Sequence, residues 1–254
     1  MDRALAEDRT EDAAHLLARI LQKNPNSPAA RLRLGELYLK KGQKAAAAQV
    51  FKSLTSTKGL SARAHQGWGI AMLKRGKLTL AHEVLKRAIE ENPKLWRTWN
   101  ALGLYYDSQK RWDNAQKAYG KALELNPGSA MLHNNQGYSL LIQRTFVGAA
   151  KNFTRALKLD PKFAMARTNL RLALSWLGKY DEAVLGVSSR ELPAALNDVG
   201  YIAMLRGDYA IAEALLARAL ETSPRFNEKA WRNLKYIESV RANNLRSRPP
   251  RKKR

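Results

Sequence analysis

The side chains here with the chemistry of recognition are amides and cations, and both recur at a spacing that could gather them on one face. Asparagine or a similar polar residue stands just ahead of a recurring glycine position at Asn100, at Asn134 and Asn135, at Thr168 and Asn169, and at Asn197 beside Asp198. An amide offers a donor and an acceptor together, so a ladder of them can pair with the backbone of an extended peptide whatever its side chains. The plainer reading is that these amides satisfy neighbouring helix ends or face water. Towards the N-terminal half the matching positions become Arg33, Lys40, Arg63, Gln66, Lys74 and Arg97. Of these, Arg33, Arg63, Lys74 and Arg97 are candidates to select acidic side chains, a terminal carboxylate or another polyanion. A solvated basic face is the alternative.

Catalysis finds much less support. His15, His65, His82 and His133 show no H-x3-H or H-E-x-x-H spacing, so a metal site would need an improbable convergence. No glycine-rich loop is placed to cradle a phosphate, and Glu90-Glu91 and Asp181-Glu182 read as solvated helix charges. The absence of cysteine removes disulfides, a thiol nucleophile and thiolate zinc sites. The expectation is a non-enzymatic chain with no cofactor and no metal.

The elements that would position the ladder are legible from a period. Alanine recurs every 34 residues at Ala13, Ala47, Ala81, Ala115, Ala149 and Ala183. Glycine follows the same interval at Gly35, Gly69, Gly103 and Gly137, while Pro25, Pro93, Pro127 and Pro161 close each unit and Gly59 takes the remaining proline place. In residues 96–129, Trp99, Leu102 and Tyr106 share one helical face, and Gly103 allows a neighbouring helix close approach. Ala115, Ala118 and Ala122 form a small-residue seam on a second helix, which Pro127 ends. Each unit is therefore a helical hairpin. Trp68, Trp99, Tyr106, Tyr119 and Phe153 fall at core positions; Trp176, Tyr138 and Tyr201 lie off them, open to either surface or ligand contact.

Taken in order, residues 1–27 hold a partial unit whose helix, near 9–23, carries Ala13, Leu17 and Ile20. Either it caps the array or the sequence begins inside a longer one. Four hairpins follow over 28–163 and two more over 164–226, the fifth altered by Arg171 at the glycine position and by Gly186, Ser188 and Ser189 in a shortened second helix. The interval from Ala183 to Ala212 is 29 residues, which puts a register break near 184–193. That break reads either as a kink in the array or as a loop deletion that leaves the stacking unchanged. A capping helix over 227–241 would present Trp231, Leu234 and Ile237 on one face, and 242–254 reads as a disordered basic tail.

A net charge of +23 far exceeds what solubility requires and implies an acidic partner. Residues 227–254 account for +8 of it, leaving +15 on the helical body. No apolar run is long enough to span a membrane, and the opening MDRALAEDRTED lacks the apolar core of an export signal, so the chain as written reads as cytoplasmic.

The spacing W-x2-L-G-x2-Y at Trp99, Leu102, Gly103 and Tyr106, followed by Ala115, Tyr119 and Pro127, resembles the tetratricopeptide repeat. The resemblance covers about 9–240 and implies an all-α, right-handed α-solenoid of helical hairpins with a C-terminal capping helix. In such repeats the first helices line a concave groove, so it also implies that the ladder of Asn100, Asn134, Asn135, Tyr138, Thr168, Asn169, Asn197 and Tyr201 faces a peptide. Two segments, NNQGYSLLIQRTFVGAAKNFTRALKLDPKFAMARTNLRLAL from Asn134 and LNDVGYIAMLRGDYAIAEALLARALETSPRFNEKAWRNLK from Leu196, are similar to TadD-type proteins of the bacterial tight-adherence (Flp) pilus system. That similarity implies an assembly factor acting through protein contacts with a pilus secretion machine, at the envelope if the N-terminus is incomplete. Two other functions fit the residues: a polyanion-binding protein whose tail and body meet nucleic acid or acidic lipid, and a cytoplasmic adaptor unrelated to pili.

Overall fold

The computed structural model describes residues 10–246, which form fourteen helices and no strand. In order these are α1 (Thr10–Lys23), α2 (Pro28–Lys40), α3 (Lys44–Lys52), α4 (Ser61–Lys74), α5 (Leu78–Glu91), α6 (Trp96–Ser108) and α7 (Trp112–Leu125). There follow α8 (Ala130–Ile142), α9 (Phe146–Leu159), α10 (Ala164–Trp176), α11 (Tyr180–Val184), α12 (Leu192–Arg206), α13 (Tyr209–Glu221) and α14 (Glu228–Arg246). The chain divides into two compact units, Met1–Ser139 and Leu140–Arg254, each described by itself below.

In the first unit α2 packs on α3, α4 on α5 and α6 on α7, as the hairpin period requires. Pro28 opens α2 behind Ser27, whose hydroxyl accepts from the Ala30 N–H at 3.4 Å. The helices of each hairpin join through one repeated turn. Gly42 and Gly76 adopt φ +73°, and the next residue donates back to the carbonyl five positions earlier: Gln43 to Tyr38 at 2.8 Å, Lys77 to Met72 at 3.0 Å. Arg111 makes the same bond to Tyr106 at 2.9 Å, there with Lys110 at φ +54° in the glycine place. This turn satisfies the last carbonyls of the first helix and reverses the chain in three residues.

The core of each of these three hairpins depends on a missing side chain. A Cβ on Gly103 would lie 2.6 Å from Cε1 of Tyr119, whose ring is fully buried against that backbone. Pro127 ends its hairpin but leaves its carbonyl without a helical donor, and the ring of His133 at the fourth position of the next unit meets that oxygen at 3.1 Å. Trp99 Nε1 donates to the carbonyl of Pro93 in the same way, at 2.8 Å. At the N-terminal end Ala13 and Leu17 pack into the core with Leu21, whereas Ile20 is exposed, because the buried stripe runs 13, 17, 21.

In the second unit Trp176 stacks on Phe146 with ring centroids 5.4 Å apart, so it serves packing. The fifth hairpin is abbreviated: α11 ends after five residues, Gly186 turns the chain at φ +70°, and α12 starts at Leu192 with Pro193 in its first turn. Gly200 and Leu216 then restore the close contact between α12 and α13. Against them α14 buries Ala230 and Ile237 with Leu234 beside them, whereas Trp231 is half out in solvent near Phe226. The small Ala230 is what fits against α13, so the expected Trp231 stripe is rotated by one residue. Nothing between 241 and Pro249 stops a helix, and α14 continues to Arg246, past the expected end at 241; the remainder of the basic segment, 247–254, lies outside the described residues.

Candidate binding faces

The amides expected to form a ladder are joined to one another. In the first unit, Asn135 Nδ2 donates to Asn100 Oδ1 at 2.9 Å, linking α8 to α6, and Asn134 Nδ2 donates to Asn135 Oδ1 at 3.4 Å. One hairpin earlier, Thr98 Oγ1 donates to Gln66 Oε1 at 3.2 Å. Asn134 and Asn100 are buried, while Asn135 is half-exposed and keeps one N–H and one lone pair beyond these bonds. In the second unit Asn197 accepts from Asn233 Nδ2 at 3.2 Å and donates to Asp198 at 3.4 Å; Asn169 is buried and Thr168 exposed on α10. The amides therefore register successive first helices, a role for which their burial suits them.

Apolar side chains stand in the open beside these rungs. Tyr138 is 48% exposed, and Leu104 and Met131 are similarly exposed on α6 and α8. Arg97, Leu104 and Ser108 follow one another down α6 at helical spacing, and Met131, Asn135 and Tyr138 do so on α8, so each set occupies one face. The second unit repeats the theme with Tyr201 and Leu205 on α12 and Met165 on α10. Leu104, Met131 and Leu205 were not anticipated from sequence. A usable signal exists, since Leu104, Tyr138 and Tyr201 each directly follow a repeat glycine.

The cationic positions have varied surroundings. Arg33 and Arg63 converge on Glu36, at 2.7 and 3.0 Å, so an incoming carboxylate would have to displace that residue. Arg97 lies over the Trp96 ring, 5.0 Å from its centroid, with its charge exposed. Lys74 is exposed at the end of α4.

A buried polar network was invisible to sequence reasoning. Asp107 accepts from Ser139 Oγ at 2.6 Å and from the Tyr119 hydroxyl at 2.8 Å, and Gln116 donates to Ser139 at 3.0 Å. Burial raises the Asp107 carboxyl above its usual range, outweighing both hydroxyl donors. Burial also raises Tyr119, helped by the Asp107 charge, and keeps it protonated. In the second unit Tyr180 donates to Asp208, which also meets Arg206 Nε at 3.1 Å. There the hydroxyl bond, and after it the Arg206 bond, hold Asp208 below its usual range. Among the described residues no three His, Asp or Glu side chains gather to hold a metal ion, and no helix is long and apolar enough to cross a membrane.

Residues 4–67 and 96–129 each match a model of the tetratricopeptide repeat. Among solved structures, a chain of the APC/C hetero-tetramer Cut9-Hcn1 is similar at 18% identity and a TM-score of 0.68, with 90% of this chain and 46% of that one covered. This chain thus spans under half of that one's length. The C-terminal part of a TPR repeat-containing protein from Cytophaga hutchinsonii is similar at 17% identity and a TM-score of 0.58, covering 92% of this chain and 97% of that one. A MamA protein follows at 18% identity and a TM-score of 0.51, covering 72% and 94%. No curated protein matches the sequence. Such identities speak for the fold alone, and with the repeat matches they establish that the chain contains tetratricopeptide repeats stacked as in all-α solenoids of that type.

Proposed function

We propose that the chain is a non-enzymatic scaffold that holds an extended segment of a partner protein against its first helices. The observation that carries this reading is the exposure of Leu104 on α6 and Tyr138 on α8, each one helical turn beyond its member of the amide pair of Asn100 and Asn135. Apolar side chains exposed on this face supply affinity, and the Asn135 amide, fixed by Asn100, supplies a donor and acceptor already in place for a peptide backbone. Asn100 and Asn134 in the first unit, and Asn169 and Asn197 in the second, act in this scheme by positioning; Arg97 and Lys74 favour acidic groups on the ligand, with Arg33 and Arg63 available once Glu36 is displaced.

A displayed library of random peptides selected on the full chain tests the proposal. Selected peptides are expected to lose more than about tenfold in affinity for Tyr138→Ala combined with Leu104→Ala, at a stability cost within about 0.5 kcal/mol, since both residues are exposed. Peptides that bind wild type and variant equally would remove the first-helix face from the proposal. Asn135→Ala is a poorer probe because it also deletes the bond to Asn100.

The narrower role, assembly of a tight-adherence pilus, is supported by the likeness of the segments from Asn134 and from Leu196 to TadD-type proteins. Deleting the gene in the native organism is expected to abolish surface pili. Normal piliation would end that reading and leave the scaffold standing.

A further inference from the structure

Between Glu36 and Glu83 the first unit carries nine lysine or arginine residues and no acidic one. Six of the nine sit in the two turns that join first to second helices: Lys40, Lys41 and Lys44 around Gly42, and Lys74, Arg75 and Lys77 around Gly76. All six are exposed. The two turns adjoin, for Lys44 and Arg75 line a common open recess with Tyr38 and Gln43. The next turn extends the row with Lys110 and Arg111, both exposed, and Asp113 is the acidic residue that follows them.

Lys110 is informative because of its backbone. It occupies at φ +54° the position that glycine fills in the other two turns of this unit. An L-residue pays a penalty there that glycine avoids, so a cation is kept at the apex of the turn against conformational preference. Among the described residues Glu11 meets Lys41 at 3.0 Å, and Asp107 and Asp113 flank Lys110 and Arg111 in the chain. Antiparallel hairpins place the remaining connections at the opposite edge, where Lys52, Lys58 and Lys94 are interleaved with Glu90, Glu91 and Glu124. The row of turn apices is therefore the denser of the two cation sets and lacks the interleaved glutamates of the other edge; of its members Lys74 is also among the cations assigned to a peptide's acidic groups.

We propose that this edge docks the protein onto an anionic bilayer surface. Six of the eight cations are lysines, point charges on flexible stems that neutralise a diffuse negative surface without demanding fixed geometry. A polynucleotide is the poorer fit, since binding to single strands uses aromatic faces on which bases stack. Here the Tyr106 ring is covered by Arg111 at 5.2 Å and Tyr38 is half-buried in the recess. No large apolar residue projects from these turns, so contact stays at the headgroup level and is governed by salt.

The test is co-sedimentation of the full chain with vesicles of phosphatidylcholine containing about one-third phosphatidylglycerol, at about 100 mM salt, where screening acts over roughly 10 Å. Wild type is expected to bind these vesicles and not pure phosphatidylcholine. Combined Lys44→Glu, Lys74→Glu, Arg75→Glu and Lys77→Glu should lower the partition coefficient at least a hundredfold, from about fivefold per charge near the surface. Lys94→Glu, Lys117→Glu, Arg155→Glu and Lys162→Glu together change the net charge equally and should lower it far less. A Gln set at the four edge positions, with unchanged thermal melting, guards against misfolding and should lie between wild type and the Glu set. Equal losses in the edge and control sets would overturn the assignment of the edge, as would absence of binding by wild type. Single-stranded RNA retained in preference to vesicles, and lost in the edge variant, would overturn the choice of lipid.

Discussion

Residues 96–129 and 164–192 begin alike and end differently. Their first helices, α6 and α10, are each thirteen residues long. In the first region Gly103 lets the Tyr119 ring lie against the α6 backbone, and the ring, fully buried, sends its hydroxyl on to Asp107. In the second region Arg171 holds the glycine position, and α11 stops after five residues, before any side chain arrives to occupy the space that Tyr119 fills in its own hairpin. Val187, as far beyond Arg171 as Tyr119 is beyond Gly103, lies outside the helix. A close-packed glycine and a full-length second helix are thus one requirement: where the helix ends early, the glycine is no longer needed.

Exchanging the residues at the two glycine positions tests this coupling most severely. Gly103→Arg puts a long side chain where even a Cβ meets the Tyr119 ring at 2.6 Å, and a loss of more than about 3 kcal/mol, read by chemical denaturation, is expected. The reciprocal Arg171→Gly removes a side chain whose Nε is buried without a hydrogen-bond partner, and should cost only the helical penalty of glycine, about 1 kcal/mol. Comparable losses at the two sites would mean that Arg171 packs as Tyr119 does and that the coupling argued above is false. A smaller step, Tyr119→Phe, keeps the ring against Gly103 and deletes the hydroxyl; a loss of about 1 to 2 kcal/mol in thermal or urea unfolding would separate the polar contribution from the packing.

The fold was legible because its determinants are local and repeated. Alanine at Ala81 and Ala115 is fully buried between helices, and the 34-residue interval states that directly. Arg171 and the short interval from Ala183 to Ala212 likewise announced an altered hairpin. Legibility failed where a side chain's partner comes from another hairpin. Asn100 and Asn135 looked like free rungs, and only the stacking of α8 on α6 turns them towards each other. Asp107 is unremarkable in sequence, since its partners Tyr119 and Ser139 lie 12 and 32 residues away. Trp231 and Ile20 were misplaced by a single helical step, which periodicity alone does not resolve when apolar residues flank the stripe on both sides.

The smallest expected effect is also the most diagnostic of environment, because each unit contains an aspartate that accepts from a tyrosine hydroxyl, with opposite pKa shifts. Burial raises Asp107, so the folded state holds its proton more tightly than the unfolded chain. Its contribution is fully present below the unfolded carboxylate pKa and is lost as pH rises through the raised value. Asp208 is lowered by the bonds from Tyr180 and Arg206, so its contribution is present above the unfolded pKa and is lost as pH falls through the lowered value. Urea unfolding of wild type, Asp107→Asn and Asp208→Asn between about pH 7 and pH 3 reads both signs, since the reference carboxylate titrates near 3.9. On acidification the stability of wild type relative to Asp107→Asn should rise, and relative to Asp208→Asn it should fall. Should both fall, the hydroxyls of Ser139 and Tyr119 stabilise the Asp107 carboxylate more than burial penalises it. The regular hairpin would then hold its aspartate in the same manner as the region that follows the abbreviated one, and packing alone would distinguish the two.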